Sequence, residues 1–437
     1  MKVVRMLLAS IGLSLFIPVV LAKTIQVPPP NGVDDTASIQ QALDACVATK
    51  GDCTVQLSAG HYLTKQIVSY NFLGTLKGAG KHLTSIEALP YLSVTIPDPV
   101  TDGECLPDTT KCLWPSLFIF VNGDIHVSDF SLHITTAPGT GTLPWYVFGL
   151  EVNDLLDGLR FMSQASMSVY VDRIAIDAQV DDTSFFGFTL GNGVIFTGEL
   201  PRSSTPFDYY LMTGTLVVRN SSFNTLYDGV SQDGFMHGAS ITVGGSNSTG
   251  NIFENCYTGM DLEGSESSQF EISHNISSGI SSGMWIIPWQ SAFVPTSPSR
   301  YMIHDNRFST ATSNAQGVLI YDNLANPWIR AMVWDNSILL NADLSDGIDA
   351  YNTKEAAIWN NTITGTGFDA VGLVGTSYSM VVDNEVSGFA PDASGGLGQV
   401  YLDPSTSHDL IVCAESSDVV VDQGTGNVVV CPKKIGR

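Results

Sequence analysis

The chain has 437 residues, 44% of them hydrophobic, and 43 acidic against 19 basic side chains give it a formal charge of −24. So acidic a body repels nucleic acid and anionic membrane surfaces, and neither is expected as a partner. No apolar run after the first 22 residues approaches the roughly 20 needed to cross a bilayer.

Lys2 and Arg5, an apolar run from Met6 to Val20, and Ala22 two residues beyond Val20 read as a secretory signal peptide over residues 1–22. Its removal takes the charge from −24 to −26 and leaves 23–437 as one domain. Seven cysteines suit an oxidising compartment, extracellular or periplasmic. Proximity in sequence pairs Cys46 with Cys53, Cys105 with Cys112 and Cys413 with Cys431. Cys256 is left over and reads as a structural thiol.

Past Pro28-Pro29-Pro30, apolar residues at 39, 42, 43 and 46 lie on one face of a helix, with Asp35 or Thr36 as N-cap. A strand at Thr54–Leu57, an Ala59-Gly60-His61-Tyr62 turn and a Leu76–Ile86 segment follow. This block of about 60 residues resembles the N-terminal cap and first coil of the pectate-lyase-like superfamily. There an Asp-Asp-Thr plus Ile-Gln helix (here Asp34-Asp35-Thr36 and Ile39-Gln40) precedes an "aG.Y" turn and an "l.G.G...T.i" coil. The resemblance implies an all-β chain folded as a right-handed parallel β-helix, a solenoid with an N-terminal capping α-helix. The cap spans about 31–60.

Leu117–Ile134 and Val169–Ile176 read as strands, and Asp181–Met212 as a long insertion over one face. From 214 to about 402 a refrain takes over: a β-branched residue, two variable positions, then Asn. The Asn residues are 255, 275, 306, 336, 361 and 384, at intervals of 20, 31, 30, 25 and 23. A period of roughly 20–30 residues without helical spacing marks a solenoid, whose coils stack about 4.8 Å apart. The refrain places Val217, Ile252, Ile272, Ile303, Val333, Ile358 and Val381 in the core and each Asn at a left-handed corner. Two residues before each Asn, an outward column holds Phe253, Ser273, His304, Trp334, Trp359 and Val382, so Trp334 should stack on Trp359. The end, 403–437, is stapled by a disulfide.

A second strand per coil starts after Gly or Ala, at 259, 283, 317, 347 and 370. Alternation turns Asp261, Glu263, Trp285, Tyr321, Asp349 and Tyr351 away from the core, with Asp233 and His237 just upstream. Acids beside aromatic platforms are what a glycan cleft requires, because rings stack on sugar faces and carboxyls bind hydroxyls or move protons. Asp261 and Glu263, on one face two residues apart, are the expected acid and base of a glycosidase, with Asp233 as third candidate. His237, Trp285, Tyr321, Asp349 and Tyr351 are the expected substrate contacts.

The string Gln232-Asp233-Gly234…His237-Gly238 is similar to polygalacturonase motifs but lacks their paired aspartates, spacing and Arg-Ile-Lys, so those roles are not carried over. Lyases of the superfamily set an Arg or Lys base with calcium against a uronate. Between 214 and 402 the only cations are Arg219, Arg300, Arg307, Arg330 and Lys354, with Arg300 and Arg330 the candidate bases. A secreted hydrolase or transglycosylase acting on a neutral polysaccharide, needing no cofactor, is therefore the first expectation. A calcium-assisted uronate lyase or epimerase, and a non-catalytic glycan-binding protein, are the alternatives.

Overall fold

The computed structural model describes residues 23–89, 116–135, 145–147, 150–152, 157–179, 191–198, 213–234, 236–262, 265–280, 282–286, 297–322, 329–342, 344–389, 398–415 and 417–432. The expected signal peptide (1–22), Cys105, Cys112, Glu263, Trp328 and most of 181–212 lie outside them. Apart from a short antiparallel hairpin at Trp145–Val152, every strand pairing in these segments is parallel. The strands wind as a right-handed parallel β-helix, as the sequence predicts. No described helix is long and apolar enough to cross a membrane.

The helix Thr36–Val47 closes the N-terminal end, burying Ile39, Ala42, Leu43 and Cys46. Asp35 is its N-cap residue, but its carboxylate accepts hydrogen bonds from the backbone N–H groups of Asn31 and Leu63 at 2.9 and 3.1 Å. The cap is thereby tied to the first coil. Disulfides join Cys46 to Cys53 and Cys413 to Cys431, and Cys256 is a buried free thiol that burial pushes up to about 12.

Three faces run the length of the solenoid. Early coils carry two of them on single bent strands, Ile67–Lys77, Ser116–Ser128 and Asp157–Asp172. Asp157–Asp172 pairs through its first half with Val194–Gly198 and through its second with Thr213–Arg219, after which the two faces separate. Val194–Gly198 is thus a rung of the solenoid, where the sequence suggested an insertion. The first face, which bears the candidate site, continues through Thr258–Leu262, Ser282–Ile286, Gln316–Tyr321, Asp346–Tyr351, Asp369–Val374 and Gly398–Leu402. The second runs through Gln269–Ser273, Ser299–His304, Ile329–Trp334, Ala357–Trp359 and Met380–Val382. The third is an 11-stranded sheet beginning at Gly60–Thr64.

Between the second and third faces stands a column of buried asparagines: 251, 275, 306, 336, 361 and 384. Each of the first five donates from its side-chain amide to the Oδ1 of the next, at 2.9–3.0 Å. Each of the six also donates to a backbone carbonyl of the preceding coil at 2.9–3.1 Å, such as Asn306 to Ile272. A buried backbone carbonyl must be satisfied, and the amide is the group that does it. The left-handed residue is the one before: His274, Asp305, Asp335, Asn360 and Asp383 have φ of 50–61°.

Two corrections follow. Asn255 is a left-handed corner on the third face (φ 54°), and the ladder position of its coil is Asn251. Ile252 therefore points outward, 43% exposed, and Phe253 inward. Val217 lies outside likewise, because Val218 pairs with Val243 in the core column and Ser221 takes the ladder position. Ile272, Ile303, Val333, Ile358 and Val381 are buried as the refrain predicts.

Candidate active site

Along the first face, Met260, Leu262, Met284, Ile286, Val318, Ile320, Ile348 and Ala350 fill the core. The residues between them point away from it. Register places Asp261, Trp285, Leu319, Asp349, Gly372 and Tyr401 in one column, and Tyr321 opposite Tyr351 in the next. Asp261 is three rungs from Asp349, about 14 Å at the usual strand spacing. Asp233 sits in register with Thr197, but its side chain, like Glu263, is outside the described residues. His237 is half-buried on the two-residue strand Met236–His237, opposite Glu266.

The most concentrated chemistry lies where one expected residue meets two unexpected ones. Asp346 and Asp369 pair in register at the start of successive strands, and Asp349 stands three residues further along its strand. Oxygen atoms of the three carboxyls lie within 4.8 Å of one another. Although Asp349 points away from the core, it is only 2% exposed, and Asp369 is 4% exposed. Asp346 Oδ1, Asp349 Oδ2 and Asp369 Oδ1 are buried without a hydrogen-bond partner among the described residues.

Burial and mutual repulsion favour the protonated forms. Burial pushes Asp346 up to about 6, partly offset by hydrogen bonds from the Asp349 carboxyl and the Asp369 backbone N–H. Burial, then the charges of Asp369 and Asp346, hold Asp349 well above the usual carboxylate range. Asp369 is raised by burial and by Asp346. The Tyr351 hydroxyl is also raised, first by burial and then by the three acids.

Gly372 makes this crowding possible. A Cβ there would stand 2.3 Å from Asp349 Oδ1, and 3.0 and 3.3 Å from the Asp369 oxygens, so the carboxyls occupy the space of its missing side chain. The sequence does carry a signal for Asp346 and Asp369. Each immediately precedes the small residue that opens its strand, Gly347 or Ala370, as Gln316 precedes Gly317. Alternation counted from within the strand skips that position.

Aromatic side chains share the face with the trio: Tyr351 on the same strand as Asp349, Tyr321 one rung away and Trp285 two rungs from Asp349. Tyr321, 41% exposed, lies 6.0 Å from Tyr351 between ring centroids. Trp285 packs edge-on against Tyr257 at 5.5 Å, and its buried indole N–H has no partner among the described residues. All five cations between 214 and 402 lie off this face. Arg219, Arg300 and Arg330 are on the second face, Arg307 is on the third, and Lys354 is in the turn between the first-face strand Asp346–Tyr351 and the second-face strand Ala357–Trp359. Arg300 and Arg330 pair in register with each other, and Arg330 is bound to Glu355 at 3.1 Å. As a donor set, the hard oxygens of Asp346, Asp349 and Asp369 fit calcium, which takes six to eight oxygen ligands and would draw the rest from water or substrate.

On the second face the expected stack of Trp334 on Trp359 is present, with centroids 5.0 Å apart and planes 3° apart, and His304 lies on Trp334 at 4.3 Å. The rings cover one another's faces and turn edges to solvent. Ser273 is buried there beneath the turn at Gly245.

A mutant of DFA-IIIase from Arthrobacter chlorophenolicus A6, in complex with DFA-III, superposes with a TM-score of 0.53 at 12% identity, covering 95% of this chain and 100% of that one. The shared fold is a parallel β-helix. The mannuronan C-5 epimerase AlgE6 A-module of Azotobacter vinelandii gives 0.47 at 13% identity, over 92% and 96% of the two chains. A hyperthermoactive exopolygalacturonase of Thermotoga maritima gives 0.40 at 10%, over 93% and 92%. At such identities the likeness is one of fold. No protein-family model matches the sequence, and no curated protein matches it.

Proposed function

We propose that the chain is a secreted carbohydrate-active enzyme that cleaves or transfers glycosidic bonds of a neutral polysaccharide, with Asp346, Asp349 and Asp369 as its acid–base centre. The observation that carries this reading is the trio itself, three carboxyls crowded into a buried site beside tyrosine and tryptophan rings. Glycoside cleavage needs one carboxyl that keeps its proton and one that has lost it. Asp349, the most enclosed and flanked by two like charges, holds the proton and gives it to the leaving glycosidic oxygen. Asp346, half-buried and the less raised, is ionised near neutrality. At this close spacing it attacks the anomeric carbon itself as the leaving oxygen departs. Water or a sugar hydroxyl then displaces it from the glycosyl ester, giving its proton to Asp349. Asp369 fixes the charge state of both. The absence of Lys and Arg from this face between 214 and 402 favours an uncharged sugar.

The Asp261–Glu263 pair, with Asp233 and His237 at its edge, is the competing location on the same face. Secreted protein incubated with a polysaccharide panel should yield new reducing ends without the absorbance of unsaturated uronates. Asp349→Asn and Asp369→Asn should each lower turnover by roughly 10²–10⁴, whereas Trp285→Ala should chiefly raise KM. Full turnover in both Asp variants, with loss in Asp261→Asn or Glu263→Gln, would transfer the chemistry to that pair.

The donor set favours one further reading, a lyase or epimerase of uronates. Asp346, Asp349 and Asp369 would then hold calcium, which would neutralise the uronate carboxylate. Unsaturated-uronate absorbance lost on chelation is its signature. Binding without new products would mark a non-catalytic glycan-binding protein.

A further inference from the structure

The third face carries a groove that the chemistry above does not use. It has a volume of about 700 Å³, within the size range of small-molecule sites. Register lines its floor with Ser85, Ser131, Ala175 and Ser222, and one wall with His133, Asp177, Asn224 and Glu254. His61, Lys81 and His82 border it on the N-terminal side. From His61 to Ser222 the register advances four rungs, about 19 Å.

Its polar groups hold one another in place. The His61 ring lies 2.9 Å from Ser85 Oγ and 2.9 Å from Glu87 Oε2. His133 is 2.5 Å from Asp177 Oδ1 and 3.4 Å from Ser131 Oγ. Asn224 Oδ1 accepts from Asn255 at 3.0 Å. Side chains fixed in this way lose little freedom when a ligand arrives. Lys81 stands at one end and the carboxylates of Asp177 and Glu254 line the wall further on, which disfavours a polyanion laid lengthwise. Fixed donors and acceptors side by side match hydroxyl groups, which do both. Beyond Ser222 the same outward column continues into Ile252 and Ile276, 43% and 44% exposed, an apolar shelf suited to the C–H faces of sugar rings.

We propose that this groove is a second saccharide-binding site, which holds a neutral, hydroxyl-rich glycan lengthwise along the solenoid and apart from the acidic trio. It stands whether or not the trio is catalytic. The test is affinity electrophoresis of the full chain in gels containing xyloglucan, galactomannan, mixed-linkage β-glucan, levan or sodium polygalacturonate. Every protein carries Asp349→Asn, so that the polymer is not consumed. At least one neutral polysaccharide should retard this parent. Adding His133→Ala with Asp177→Ala, or separately Ser222→Trp to fill the floor, should weaken retardation at least about tenfold, with the thermal transition retained in at least one of them. Retardation by no neutral polymer, by polygalacturonate alone, or equally in the folded groove variants would overturn the proposal. Failure of the acid–base reading shows separately, as undiminished product formation by Asp349→Asn with the groove intact.

Discussion

Gly372 bears most directly on the acidic trio although it has no side chain to contribute. Gly372→Ala would drive a methyl into Asp349 Oδ1, and Asp349 would have to swing away from Asp369. We expect turnover to fall at least tenfold while the circular-dichroism spectrum is kept, since the position faces away from the core. The trio also has a cost in stability. Each carboxyl binds its proton more tightly folded than unfolded, so the folded state holds the extra protons between the ordinary value of 3.8 and, for Asp346, about 6. Stability is then gained as pH falls through that window and lost as it rises. Asp369→Asn removes one of the repelling charges, and its melting temperature at pH 7.5 should exceed that of the parent even as activity collapses.

At the scale of elements, the asparagine column decides which β-branched residues are inside. Ile303→Asp buries an unpaired charge and should cost several kcal/mol in chemical denaturation. Ile252→Asp, at a position given the same place by the refrain, should cost less than about 1 kcal/mol because the side chain already meets water. Five of the refrain's six asparagines are rungs of the ladder, so the coils from Ile272 onward were legible. Asn255 matches the motif by letter and misleads, because the turn at Gly244–Gly250 stands between Val243, the core residue of that coil, and Asn251, its ladder residue, which donates to Val218 of the coil before. Spacing alone does not distinguish a buried amide from a left-handed corner, since Asn serves both. The candidate site was legible in part for the same kind of reason. Alternation inside a strand found Asp349, Tyr321 and Tyr351, but Asp346 and Asp369 stand at the bend where alternation starts.

For the whole molecule, the acid-side gain should appear as a higher melting temperature at pH 5 than at pH 7.5, in scans at fixed ionic strength. His133 adds to it, because its hydrogen bond to Asp177 raises the folded ring above its ordinary value and that stability is lost as pH rises. The difference should shrink in Asp369→Asn. The ladder also separates axial order from coil length. Successive rungs are 24, 31, 30, 25 and 23 residues apart, yet every amide finds the next at 2.9–3.0 Å. Counting restarts once per coil, so an extra stretch between rungs is not passed on as an error to the coils that follow. The exposed turn at Ser246–Thr249 is such a place, and a guest peptide spliced there should leave the distant first face at work. Lineages carrying this scaffold can therefore lengthen or exchange their surface loops one at a time, trying new partners without renegotiating the core.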